Sequence, residues 1–207
     1  MTVELVRLGT DYGGWWVPRD AVYPGMLAYC AGAGEDISFE LALHEAGCRV
    51  VTFDPTPRSI EYVKETGPHD ERFRFVPIGW WDEDTELRFF SPRDASDVSH
   101  SVLNLQHTAE YFVSPVKPVW KLMRELGDET VDLIKMDIEG AEYRVIRSLL
   151  AHGPRPSVLC VELHAASALR EKLVLLRLRL AGYSLAKIDG TDYTFVRRRR
   201  GENARIR

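Results

Sequence analysis

Cysteine is scarce in this sequence, and the few that occur are not arranged for cross-linking or metal binding. The 207 residues include 3 cysteines, Cys30, Cys48 and Cys160. Their number is odd, they are widely spaced and no C-x-x-C pair occurs, so neither a disulfide framework nor a zinc site is indicated. We expect them to be small, buried apolar residues.

Long hydrophobic runs and a large excess of one charge are also missing. No apolar run approaches the roughly 18 residues of a membrane span, and the first residues show no basic stretch followed by a hydrophobic signal segment. We therefore expect a cytoplasmic protein without a membrane partner. The net charge of −4 argues against a nucleic-acid partner. An arginine-rich tail over residues 197–207 is predicted to be a solvated terminus.

The remaining composition is that of an ordinary globular domain, with 45% apolar and 28% charged residues. The length fits one domain, residues 1–207, with a single core. Strands are predicted to alternate with helices, and a closing hairpin is predicted around Asp189-Gly190. The predicted strands are 27–30, 49–53, 73–78, 86–90, one that begins at Leu133, 157–163, 184–188 and 193–196. The predicted helices are 37–46, 59–65, 121–126, 142–150 and 168–180. This alternation predicts an α/β fold with an open, mostly parallel sheet and an antiparallel edge strand.

Two segments are predicted to stand apart from this alternation. Residues 1–24 are typical of an accessory hairpin. Its adjacent Trp15 and Trp16 face opposite ways, so that one packs in the core and the other could cover a ligand pocket. Residues 91–114 are long for a connection, and loops of that length are usually functional or disordered. We interpret them as a candidate lid.

The most informative stretch is Leu133-Ile-Lys-Met-Asp-Ile-Glu-Gly-Ala-Glu142, in which an apolar run ends in acidic residues and a glycine before a helix. Open α/β sheets bind ligands at the carboxyl ends of their strands. Alternation places Lys135, Asp137 and Glu139 on one face. Three charges there must pair with each other, meet a polar ligand or reach solvent. An ion network of Lys135 with Asp137 or Glu139 is one alternative, and Glu139 and Glu142 are more typical of residues that shape the turn.

A glycine turn follows the first core strand, in Cys30-Ala-Gly32-Ala-Gly34-Glu-Asp-Ile-Ser38. Glycines there let the backbone approach a ligand, and a helix amino terminus favours negative groups. Asp54 ends the next strand about twenty residues later, where such folds hydrogen-bond a ribose diol. The turn and the acid together predict a nucleoside-type ligand, and a tight turn that binds nothing is the alternative.

The third glycine of the dinucleotide pattern G-x-G-x-x-G is absent, because Ile37 occupies its position. Glu35 and Asp36 would also repel a pyrophosphate. S-adenosylmethionine carries no phosphate and presents a sulfonium and an ammonium, so an acid-rich turn and Asp137 are compatible with it. The sequence therefore favours S-adenosylmethionine as cofactor. A nicotinamide-dependent oxidoreductase and a non-catalytic module that binds nucleoside ligands remain alternatives.

Four stretches occur in an order that resembles the FkbM-type family of S-adenosylmethionine-dependent methyltransferases. They are Cys30-Ala-Gly-Ala-Gly-Glu-Asp-Ile-Ser-Phe39, Thr52-Phe-Asp-Pro-Thr-Pro57, Lys135-Met-Asp-Ile-Glu-Gly-Ala-Glu142 and Val161-Glu-Leu-His164. The resemblance covers roughly residues 10–196, and K-x-D-x-E-G-x-E is its most specific element. It implies a Rossmann-like class I methyltransferase with a seven-stranded sheet that methylates a hydroxyl of a natural product or sugar. The commoner family pattern is D-x-G-A-N, and in this sequence Cys30 replaces its aspartate.

The residues predicted to contact the cofactor lie at the ends of several strands. They are Cys30, Gly32, Ala33, Gly34, Asp54, Gly79, Trp80 and Asp137. Trp80 or Trp81 could stack on an adenine, and core packing is the alternative for both.

A hydroxyl acceptor must lose its proton, and a base with a pKa near neutrality serves best. His164 is our first choice of base and Asp137 the second, with Glu162 orienting the histidine. His100, in the candidate lid, could reach the acceptor, while a structural role is the alternative for either histidine. No metal is predicted, although Asp137, Glu139, Glu162 and His164 together could hold a divalent cation. The acceptor is predicted to be a small molecule, and the oligomeric state stays open.

Overall fold

The computed structural model describes residues 4–94, 99–164 and 167–197. Within these ranges strands and helices alternate along most of the chain, as the sequence pattern predicts. The elements are β1 (Leu5–Leu8), β2 (Trp15–Pro18), β3 (Leu27–Ala31), α1 (Ser38–Glu45), β4 (Arg49–Phe53), α2 (Pro57–Thr66), β5 (Phe73–Val76), β6 (Gly79–Trp80), β7 (Thr85–Phe90), β8 (Tyr111–Lys117), α3 (Val119–Leu126), β9 (Leu133–Met136), α4 (Glu142–His152), β10 (Val158–Glu162), α5 (Ala168–Leu180), β11 (Tyr183–Asp189) and β12 (Asp192–Arg197).

The central sheet has seven strands in the order β11-β12-β10-β9-β3-β4-β5. Its strands β3, β4, β5, β9 and β10 are parallel, which confirms the predicted mostly parallel sheet. The antiparallel strand is β12, and it lies one place inside the edge rather than at it. The short turn after β11 keeps β11 and β12 adjacent, and because β12 pairs with β10, β11 becomes the edge strand.

The strand order reverses direction between β3 and β9. From β3 the chain proceeds outward through β4 to β5 and then returns to the other side of β3 as β9. The helices that follow these two strands pack on opposite faces, α1 in one core cluster and α4 in the other. A crevice therefore opens at the carboxyl ends of β3 and β9, where open α/β sheets bind ligands.

The central sheet is covered by two apolar layers, one on each face, and a smaller third cluster comprises Trp81, Phe89, Val116 and Ala141. Helices α3, α4 and α5 cover one face, and α1, α2 and the β1–β2 hairpin cover the other. Every residue of β3 is buried, as expected of a strand covered on both faces. The three cysteines are free and buried, which confirms that prediction.

A second, three-stranded sheet of order β6-β8-β7 was not predicted. Its central strand β8 includes residues 111–114, so the end of the candidate lid is strand rather than loop. Pro115 within β8 weakens the strand signal in the sequence, because proline cannot donate a ladder hydrogen bond. The predicted β1–β2 hairpin is present.

Most of the arginine-rich tail, residues 198–207, lies outside the described residues, and Arg197 ends β12. Among the helices that the structure describes, none combines the length and apolar character of a membrane span.

Candidate active site

A cavity of about 460 Å³ opens at the carboxyl ends of β3, β4, β9 and β10. This volume falls in the range of small-molecule sites, roughly 300–1,000 Å³. Most residues predicted to bind cofactor or take part in catalysis line it, namely Gly32, Ala33, Gly34, Asp54, Gly79, Trp80, His100, Asp137, Glu162 and His164. Cys30 does not, because its side chain is fully buried within β3.

The glycine turn requires glycine at position 32. Gly32 has a φ of +87°, and a Cβ atom there would lie 1.9 Å from the carbonyl oxygen of Asp137. Its amide donates to the carbonyl of Phe53 at 2.9 Å. Lys135 Nζ donates to the Gly32 carbonyl. The turn is thus held directly against the ends of the neighbouring strands.

Asp54 holds the same turn from the end of β4. One of its carboxylate oxygens accepts the amides of Ala33 and Gly34, at 2.8 and 3.1 Å. The other accepts the amide and hydroxyl of Thr56, at 2.8 and 2.7 Å. A carboxylate offers roughly four lone-pair positions, so a ribose diol at Asp54 would share or exchange these donors.

Of the two adjacent tryptophans, Trp80 lines the cavity. Its ring packs on Phe53 with centroids 5.2 Å apart. Its buried indole Nε1 has no hydrogen-bond partner among the described residues. This nitrogen is not open to the cavity, because Trp80 is 3% exposed and packs in the core. The ring nevertheless forms part of the cavity wall with Phe53, and such an aromatic wall fits an adenine base. Trp81 packs elsewhere, with the Arg144 guanidinium 4.7 Å from its ring.

The ion pair of Lys135 is with Glu40 of α1, and it differs from the network with Asp137 or Glu139 considered from the sequence. Lys135 is buried, and its Nζ lies 3.5 Å from Oε1 of the fully buried Glu40. Burial opposes its charge, but Glu40 and Asp137 raise the pKa of Lys135 above its ordinary value. Glu40 comes from α1, and its role was missed because an acid within a helical pattern gives no sign that it will be buried.

His164 lies at the centre of an acidic cluster. Its Nδ1 is 2.9 Å from Glu142 Oε1, and its Nε2 is 3.1 Å from Glu139 Oε2. Asp137 and Glu162 lie farther from Nε2, at 4.0 and 3.7 Å. The carboxylate of Glu142 also accepts amide hydrogens of the strand-to-helix turn, from Ile138 and Gly140. This confirms that Glu142 shapes the turn.

Asp137 and His164 both have a raised pKa in this cluster. Burial opposes the charged imidazole of His164, but its hydrogen bond to Glu142 and the nearby carboxylates raise its pKa to about 9. Burial raises the pKa of Asp137 to about 7, although the charge of Lys135 opposes the rise. At neutral pH the histidine therefore holds a proton, and Asp137 is close to its midpoint.

Asp137, Glu162 and His164 each offer an atom within 4.8 Å of the others, as a cation site would require. The structure thus brings together three of the four residues considered as metal ligands. The absence of a metal stays a prediction.

The rim of the cavity comes from three segments. His100 packs its ring against Phe112, with centroids 5.3 Å apart, and residues 95–98 of the candidate lid lie outside the described residues. Trp15 lines the cavity from the hairpin, whereas Trp16 donates to Asp189 at 2.9 Å. The third segment is the turn at Thr191, whose hydroxyl donates to Glu162 at 2.9 Å.

Asp192, next to that turn, was also missed by sequence reasoning. It lines the cavity, and burial together with the charge of Asp137 raises its pKa to about 6. The Asp-Gly signal indicates a hairpin turn, but only the pairing of β12 with β10 places this turn beside the acidic cluster.

Comparison with known proteins agrees with this arrangement. The family model described as "Methyltransferase FkbM domain" matches residues 29–185. Two similar curated proteins are "Probable methyltransferase-like protein 24" of Rattus norvegicus and of Homo sapiens. They are 26% and 25% identical over 123 residues, which is 59% of this chain. The chain spans 28% and 27% of their respective lengths.

Among solved structures, the METTL16 methyltransferase domain is similar in fold, with a TM-score of 0.50 and 13% identity. The similarity covers 86% of this chain and 60% of that one. The topology is that of class I S-adenosylmethionine-dependent methyltransferases. With the family model matching most of its length, this chain belongs to the FkbM family of S-adenosylmethionine-dependent methyltransferases.

Proposed function

We propose that this chain transfers the methyl group of S-adenosylmethionine to a hydroxyl oxygen of a small molecule, such as a natural product or a sugar. One observation carries the proposal. A single cavity joins the glycine turn, Asp54 and Trp80 on one side to Asp137 and His164 on the other. A substrate bound in this cavity would therefore lie close both to the cofactor and to a group that can accept its proton.

The residues for the cofactor are those that the turn presents. Gly32 lets the turn lie against the Asp137 carbonyl, and Gly34, with a φ of +52°, lines the cavity without a side chain. Asp54 would exchange part of its present hydrogen bonds for a ribose diol, and Trp80 contributes an aromatic part of the wall. Bound S-adenosylmethionine supplies an electrophilic methyl group on a sulfonium. Carboxylates of the cavity complement that positive charge.

Asp137 is the better candidate for the base. In an in-line displacement the acceptor oxygen bonds to the methyl carbon as the carbon–sulfur bond breaks and its electron pair returns to sulfur. The hydroxyl proton passes to the base. A group with a pKa of about 7 can accept it near neutrality, whereas His164 already holds a proton there. His164 then serves as a positive neighbour that stabilises ionised Asp137, and Glu162 contacts both groups.

The charge of the cavity favours a neutral or cationic acceptor. Carboxylates outnumber positive groups along the wall, where the acidic residues are Glu35, Asp36, Asp54, Asp137, Glu139, Glu162 and Asp192. Lys135 and His164 are the positive groups among these lining residues. Such a wall repels phosphates, so we propose a small hydroxylated acceptor rather than a nucleic acid.

Calorimetry and mass spectrometry test the proposal. We expect S-adenosylhomocysteine to bind and NAD not to bind. With S-adenosylmethionine, we expect a product one methyl group heavier from a panel of sugars, hydroxylated polyketides and peptides. Binding of NAD without S-adenosylhomocysteine would overturn the cofactor. Methylation of RNA without any small-molecule product would overturn the acceptor class.

The pH dependence of turnover separates the two candidate bases. If Asp137 is the base, single-turnover rates rise with pH through about 7, and Asp137→Asn loses about 100-fold or more in rate. A rise centred near 9 that persists in Asp137→Asn would assign the base to His164 instead. Glu171→Gln is the matched control, because Glu171 accepts a hydrogen bond from the Tyr193 hydroxyl and does not line the cavity.

A further inference from the structure

Helix α5 carries a row of exposed leucines on the side that faces away from the sheet. Its buried residues, Val174 and Leu178, pack into the core. At 100° per residue, the exposed leucines fall within about 60° of each other on the opposite side of the axis. They are Leu169, Leu173, Leu176 and Leu180, with exposed fractions of 67%, 42%, 51% and 78%.

The spacing of these leucines is 4, 3 and 4 residues, which is the a/d repeat of a coiled-coil seam. An a/d row is narrower than the apolar face of a helix that lies in a membrane interface. The row is about 16 Å long, enough for a partner helix to lie along it. Its shape therefore fits a helix rather than a lipid surface.

Basic side chains flank the row on both sides. In heptad terms, Arg170 and Arg177 occupy e positions, and Lys172 and Arg179 occupy g positions. All four are exposed, and within the described part of the chain none forms an ion pair with a carboxylate. The acid of this helix, Glu171, is engaged on the inner side with the Tyr193 hydroxyl.

This charge pattern excludes a second copy of the helix as a good partner. In a parallel pair, g residues meet e residues of the other helix, and in an antiparallel pair g meets g and e meets e. Either arrangement brings like charges together, which disfavours pairing. A partner with acidic e and g positions would instead form opposite-charge contacts along both flanks.

We propose that α5 is a docking surface for an acidic amphipathic helix of a partner protein, with apolar residues at a and d and carboxylates at e and g. The surface consists of the four leucines and the four flanking basic residues. It does not share residues with the cavity lining, so docking is independent of the methyl-transfer proposal.

A designed peptide provides the probe. It has three heptads with leucine at a and d and glutamate at e and g, and its counterpart has lysine at e and g. Fluorescence anisotropy of the labelled peptides is measured with the whole chain. We expect saturable binding of the glutamate peptide, weakened by salt, and at least tenfold weaker binding of the lysine peptide.

Two double variants test the two components of the surface. Leu173→Ser with Leu176→Ser should lose at least tenfold in affinity, while Leu185→Ser, an exposed leucine of β11, should not. Arg170→Glu with Arg177→Glu should shift the preference toward the lysine peptide, which a misfolded variant would not do. Thermal unfolding of each variant confirms that it folds.

Four outcomes would overturn the proposal. They are equal binding of the two peptides, binding that survives the leucine double variant, self-association of the chain that the leucine double variant abolishes, and co-flotation with phosphatidylserine vesicles without peptide binding.

Discussion

Nδ1 of His164 donates a hydrogen bond to the fully buried carboxylate of Glu142 at 2.9 Å. The same carboxylate oxygen accepts the amide of Gly140 at 3.1 Å. One buried acid thus fixes both the turn after β9 and the histidine after β10. The orientation and the charge of His164 depend on a residue outside the cavity lining.

We expect Glu142→Gln to lower the pKa of His164 from about 9 toward its ordinary value. The amide removes the negative charge that favours the imidazolium, while its oxygen can still accept a hydrogen bond. NMR titration of the His164 ring measures the change. Glu171→Gln is the control and should leave the titration unchanged. A midpoint that stays near 9 in Glu142→Gln would show that the other carboxylates suffice.

Stability should fall as pH rises from about 6.5 to 9. The raised folded-state pKa of His164 stabilises the protein fully below about 6.5, and this contribution is lost as pH rises through about 9. The loss is on the order of 3 kcal/mol. The raised pKa of Asp137 acts in the same direction up to about 7. Thermal unfolding across this range should show a falling Tm, with a shallower fall in Glu142→Gln.

Gly32→Ala should destabilise the fold more than Gly25→Ala. Both glycines have positive φ, +87° and +84°, so both substitutions carry a backbone cost of about 1–2 kcal/mol. At Gly25 the new methyl group meets nothing within 4 Å, whereas at Gly32 it meets the Asp137 carbonyl oxygen at 1.9 Å. Denaturant unfolding compares the two. Equal losses would mean that the chain relaxes at Gly32 without cost.

Lys135→Met should destabilise the protein by about 3–5 kcal/mol, because it leaves Glu40 buried without its counter-charge. Adding Glu40→Gln should recover part of this loss. The exposed Lys121, paired with Asp84, is the control, and Lys121→Met should change stability little. Additive losses in the double variant would contradict a coupled pair.

Asp54→Asn should weaken S-adenosylhomocysteine binding by about 1–3 kcal/mol. Both carboxylate oxygens of Asp54 accept backbone amides, whereas asparagine has one oxygen and one NH2 group. The turn at Ala33 and Gly34, or the one at Thr56, therefore loses part of its support. Calorimetry measures the affinity. Asp70→Asn, at a surface turn beside His44, should bind normally. Normal binding by Asp54→Asn would remove Asp54 from the cofactor site.

The sequence predicts the parts of the site that are local and periodic. Gly32, Asp54 and Asp137 each follow an apolar strand. Because the carboxyl ends of parallel strands lie at one edge of an open α/β sheet, these residues are expected to meet there. Glu40 and Asp192 were missed because their positions depend on helix packing and on the pairing of β12 with β10. Strand β8 was missed because Pro115 interrupts its pattern.

The pairing of β3 with β9 also has a consequence for how the chain folds. The contact of Lys135 with Gly32 spans 103 residues of sequence, so the crevice forms only after a long loop has closed. Closing such loops costs entropy and slows folding. A chain emerging from the ribosome must expose β9 before the two strands can meet, so the crevice for the cofactor forms late. Once bound, the cofactor can only stabilise a sheet that has already formed.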